Sequence, residues 1–141
     1  MDHTPDNVQI DIAGLWQDLQ RLIRDVVEQM NYDEELRQRT GGLDFHHAPL
    51  DTIIVKKQSP PAVCLTLTRE AAVIAVNHRI VLNGTNVKEQ ETQESLSIEI
   101  DETQTPFCRN NHGETLTIEQ VVFYILRPFL FPHCSSSTAR R

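Results

Sequence analysis

The sequence predicts an α+β fold, and three features carry that prediction. Apolar residues recur at three- and four-residue steps from Ile12 to Met30, whereas residues 62–68 and 96–100 alternate apolar and polar side chains. A second apolar segment, Leu116 to Phe131, follows a helix-start signal near the C-terminus. Periods near 3.6 and 2 mark helices and half-buried strands respectively. Together they predict a long N-terminal amphipathic helix, a mostly antiparallel sheet of four to six strands, and a shorter C-terminal helix on the same sheet face. The chain of 141 residues is large enough for one hydrophobic core. Residues 1–134 are expected to form that domain, and the polar stretch 135–141 a disordered tail.

The opening ten residues read as a loose lead-in, with Asn7 or Asp11 available as a helix cap. Ile12, Leu15, Trp16, Leu19, Leu22, Ile23, Val26, Val27 and Met30 then fall in a stripe about 140° wide at about 100° per residue. Asp18, Arg21, Arg24, Asp25 and Glu28 fall on the opposite side, as a solvated face. Leu36 leaves the stripe, so the helix should end, kink or restart between Asn31 and Glu34. Thr40-Gly41-Gly42 breaks regular structure, and Leu43 to Leu50 reads as a connector holding Phe45, His46 and His47.

Thr52 to Lys57 and Ala62 to Thr68 read as strands flanking Ser59-Pro60-Pro61, a corner that a central strand cannot contain. A turn at Arg69-Glu70 would lead to a strand from Ala72. Its end is expected at Asn83-Gly84, a strong hairpin signal, with Asn77-His78 as the alternative turn. Thr85 to Glu94 has one apolar residue in ten and reads as an exposed loop or polar edge strand. Leu96, Ile98 and Ile100 then form a one-faced strand, and Phe107 to Arg109 a short one before the Asn110 to Gly113 turn. Thr117 and Gln120 have the spacing of a capping box, so a helix should begin at Ile118, and Pro128 should end it at Arg127.

The net charge of −7 and pI near 5.3, without a basic stripe, argue against nucleic acid and against an anionic membrane as partners. Cys64, Cys108 and Cys134 are an odd, widely spaced set, and the N-terminus is acidic and polar; both point to a cytoplasmic protein with reduced thiols. No nucleotide-binding, zinc-protease or serine-hydrolase motif occurs in the sequence, and no cofactor is expected. Cys64 with His78 is a poor catalytic pair, since a strand cysteine is more often a small buried hydrophobe.

The leading functional expectation is a non-catalytic protein-interaction or regulatory module whose partner is another protein or a second copy of the chain, as a homodimer. Its contacts would come from Phe123, Tyr124, Phe129, Leu130 and Phe131, the densest aromatic concentration in the sequence. One alternative is a metal-binding protein or metal-dependent enzyme using His46, His47, Cys108 and His112, because imidazole and thiolate suit zinc. The other is a small-ligand-binding domain with a pocket between helix and sheet.

Overall fold

The computed structural model of the chain describes residues 5–49, 51–57, 59, 61–82 and 88–130. Helix α1 (Pro5–Tyr32) starts inside the expected lead-in, so Asn7 and Asp11 lie within the helix rather than capping it; it opens on a proline, whose missing N–H would have no intrahelical partner in a first turn. Its stripe lands where the periodicity put it: Ile12, Leu15, Trp16, Leu19, Ile23, Val27 and Met30 are all buried. The break falls at Asp33, whose carboxylate accepts the Leu36 N–H at 3.0 Å and starts helix α2 (Glu34–Thr40). Gly41 ends α2 at φ 74°, donating its N–H to the Arg37 carbonyl. A Cβ there would stand 2.5 Å from Ser59 Oγ, so conformation and space both require glycine.

The strands form one antiparallel meander of seven, more than the four to six expected: β1 (Leu43–Ala48), β2 (Thr52–Lys57), β3 (Ala62–Glu70), β4 (Val73–Leu82), β5 (Lys88–Ile100), β6 (Pro106–Arg109) and β7 (Thr115–Leu116). β1 replaces the expected connector. It carries few apolar residues because it is an edge strand, but it pairs with β2 along all six residues. The Asn31 side chain fixes its start, bonding the Leu43 N–H and carbonyl at 2.8 Å each. β3 runs through Arg69-Glu70, and the turn falls at Ala71-Ala72 with Ala71 at φ 56°, a conformation that alanine does not signal. β4 continues through Asn77-His78, as the hairpin preference required; residues 83–87, which include Asn83-Gly84, lie outside the described residues. From Lys88 onward the polar run before Leu96 is strand. Of β5, only Ser97 to Ile100 pair with β6, so among the described residues the first part of β5 has β4 as its single neighbour, which is why it is polar.

Helix α3 (Ile118–Leu130) begins with the capping box intact. Gln120 N–H donates to Thr117 Oγ1 at 3.2 Å and Thr117 N–H to Gln120 Oε1 at 2.9 Å. It runs past Pro128, contrary to the stop expected at Arg127. In a last turn the proline forfeits one backbone bond rather than the roughly 3 kcal/mol of a helix interior. Burial of Phe129, 1% exposed, contributes about 1.5–3 kcal/mol in return. The inner sheet face supplies Ile53, Val55, Leu65, Leu67, Ile74 and Val76 to the same core as α1 and α3. His78 is buried among them and donates Nε2–H to the Ile125 carbonyl at 2.9 Å, a bond that fixes this tautomer because a carbonyl only accepts.

Candidate functional site

The four residues drawn together as a metal site are not brought together. His46 and His47 are exposed on β1, while Cys108 is fully buried on β6 and His112 is exposed in the turn after it. β1 and β6 lie five strand steps apart, about 24 Å at roughly 4.8 Å per step. Burial pushes the Cys108 thiol up to about 11, which disfavours the thiolate that a metal or an electrophile needs. Among the described residues no group of three or more His, Cys, Asp or Glu is placed to hold a metal ion. Cys64 and His78 cannot meet either. Cys64 is opposite Arg79 and Leu65 opposite His78 in the β3–β4 register, so they occupy different sheet faces.

The C-terminal aromatic set divides around the helix. Phe129 is core, whereas Phe123 is 77% exposed and Tyr124 is 44% exposed. Leu130 closes α3 with its side chain outside the described residues, as is all of Phe131. At about 100° per residue, Phe123 stands near the middle of the solvent face, with Glu119 and Arg127 one turn either side. Tyr124 leans toward the sheet, and its hydroxyl donates to Glu94 Oε2 at 2.6 Å. Desolvation and the adjacent carboxylate push that phenol up to about 12, so it remains a donor.

An open groove of about 830 Å³ lies between α1, the β5–β6 turn and the start of α3. Leu15, Pro106, Phe107, Leu116 and Ile118 give it an apolar lining. Among the described residues its charged lining is Asp18, Asp101 and Glu119, all acidic. Asp101 is fixed by the turn it closes: Oδ1 accepts the Thr103 N–H, the Thr103 hydroxyl and the Thr105 N–H at 2.9, 2.7 and 2.9 Å. These bonds, led by that from Thr105, hold its carboxyl below the ordinary range. Asp18 meets Arg21 at 3.1 Å in a solvent-exposed pair that contributes little. The capping box and Glu119 already complement the N-terminal dipole of α3.

In sequence these carboxylates read as parts of solvated runs, and only the packing of α1 beside the β5–β6 turn and α3 collects them. Comparison with known protein families, curated proteins and solved structures finds no match to the chain. No helix of the described residues is long and apolar enough to cross a membrane.

Proposed function

We propose that this chain is a non-catalytic protein-interaction module whose groove binds a cationic, amphipathic segment of a partner protein. The observation that carries this reading is the groove itself, with an apolar lining and, among the described residues, only acidic groups as charged lining. Such a surface complements a segment with one apolar face flanked by Lys or Arg. Phe123 extends the apolar surface one helical turn beyond Glu119, as an exposed aromatic able to anchor a partner. A second copy fits less well. An isologous dimer centred on the groove would bring acidic groups against their own equivalents. The non-catalytic part is supported by the state of the chemically capable groups: Cys108 is buried with a raised pKa, and His78 Nε2 is committed to a helix carbonyl.

Fluorescence anisotropy with two labelled peptides of equal charge tests the proposal. One is a Leu/Lys-patterned amphipathic helix and the other a scrambled sequence without an apolar face. The amphipathic peptide should bind at least about tenfold more tightly, and Glu119→Lys and Phe123→Ala should each weaken it. Equal affinity for the two peptides, or affinity unchanged in both variants, rejects the groove as a docking site.

A further inference from the structure

On the other flank of α1, where the helix passes the β1–β2 and β3–β4 turns, a smaller cleft of about 200 Å³ is lined by Trp16, Gln17, Gln20, His47, Asp51 and Arg69. Trp16 is 2% exposed, and its indole Nε1–H has no hydrogen-bond partner among the described residues. Arg69 Nε–H is in the same condition. The guanidinium is otherwise held in place: Nη1 donates to the Ala71 carbonyl and Nη2 to Asp51 Oδ2, each at 2.9 Å. The Arg69 backbone N–H also donates to the Asp51 carbonyl at 3.0 Å. Asp51 and Ala71, both at positive φ, are therefore tied to one arginine whose Nε edge is left over.

We infer that this cleft is a binding site for the carboxylate of a small organic acid. An indole N–H and a guanidinium N–H can only donate, so each requires an acceptor. Buried donors are almost always partnered, which makes two orphans on one cleft informative. Both donors belong to residues that line the cleft, and two N–H groups match the two oxygens of a carboxylate; arginine presents a planar, permanently charged edge suited to that group. The Gln17 and Gln20 amides can supply further donors from the helix side. Asp51 already offsets part of the arginine charge, so a carboxylate group, planar and with a single charge, fits better than a doubly charged phosphate group. Rotation of Asp51 onto both Nε and Nη2 would satisfy Arg69 but leave the indole unpaired. The volume suits an acid of a few non-hydrogen atoms.

Trp16 is the single tryptophan of the chain, so it reports on this cleft alone. The full chain, ¹⁵N-labelled, is titrated with sodium acetate and with sodium succinate at fixed pH and ionic strength, using sodium chloride and sodium phosphate as comparison salts. The inference expects a saturable downfield shift of the one indole N–H signal with the carboxylates. Gln20→Glu, which places a like charge on a partly exposed helix position, should weaken that response by about tenfold or more. Arg69→Gln should abolish it, but Arg69 also holds two turns, so the helix variant is decisive. An indole signal that moves with acetate and succinate only as it does with chloride overturns the inference. So does saturation by phosphate alone, or a carboxylate response unchanged in Gln20→Glu. A further arm uses a short peptide with a free C-terminal carboxylate and its C-terminal amide. Binding of the free-acid peptide without any response to acetate or succinate assigns the cleft to a polypeptide end and overturns the small-acid reading.

Discussion

Two depressions flank α1, and they differ in almost every physical respect. The groove on the Leu15–Asp18 side is open, apolar within and acidic in its charged lining, whereas the cleft on the Trp16–Gln20 side is small, polar and built around one guanidinium. Leu15, Trp16, Asp18 and Gln20, within about one and a half turns of one helix, thus serve opposite environments. The carboxylates of the groove are mostly solvated and held by local turn bonds, so their loss should barely touch the fold. Arg69 bridges two turns from a largely buried position, so the cleft and the local fold share a component. The acidic residues of the groove should therefore be replaceable at little cost to stability, and Arg69 of the cleft should not.

The largest expected effect tests that contrast directly. Arg69→Ala removes the Asp51 pair and the bond to Ala71, and should cost about 2–3 kcal/mol in urea unfolding at an unchanged m value. A loss within about 0.5 kcal/mol, the size of an ordinary surface change, would erase the distinction between the two sites.

Acidification comes next and should act on the α3 side. Burial pushes His78 below the ordinary imidazole value of 6.5, against the opposing influence of its bond to Ile125 and of the Glu94 charge. The folded chain therefore resists taking up that proton while the unfolded chain accepts it. The contribution is fully present above pH 6.5 and is lost as the pH falls from there through the lowered folded value. Amide exchange should show α3 losing protection over that range sooner than β1 and β2. His78→Leu should flatten the pH dependence of the unfolding midpoint there.

Tyr124→Phe removes a partly exposed bond to Glu94 and should cost about 1 kcal/mol or less, with no effect on the Trp16 indole signal. Ala71→Gly relieves a positive-φ alanine and should stabilise by about 0.5 kcal/mol, which sharpens the view that the Arg69 corner is strained. Smallest of all, Glu119→Lys should shift the unfolding midpoint by no more than about 0.5 kcal/mol while weakening peptide capture, and a larger shift would mean that the groove is also structural.

Much of this molecule was legible as local pattern. The stripe from Ile12 to Met30, the break near Asp33, the alternation of Val63, Leu65 and Leu67, and the Thr117–Gln120 box all depend on residues within a few positions of one another. β1 was missed because an edge strand needs little apolar content, and the Ala71 turn because alanine gives no hint of positive φ. The stop at Pro128 failed because Phe129 gains burial from distant strands, which the local rule cannot see.

The candidate sites show the same division more sharply. Side-chain chemistry suggested a histidine and cysteine cluster that the strand order spreads across the sheet. The sequence gives no sign that Asp18, Asp101 and Glu119 share a groove, or that Trp16 and Arg69 share a cleft. By itself the sequence determined the α+β class, the buried stripe of the amphipathic helix and the Thr117–Gln120 cap of α3, because periodicity and capping act through neighbouring residues. Only the tertiary structure decided which aromatic residues are core and which donors and acids meet, because those relations arise when helices settle on a seven-stranded sheet.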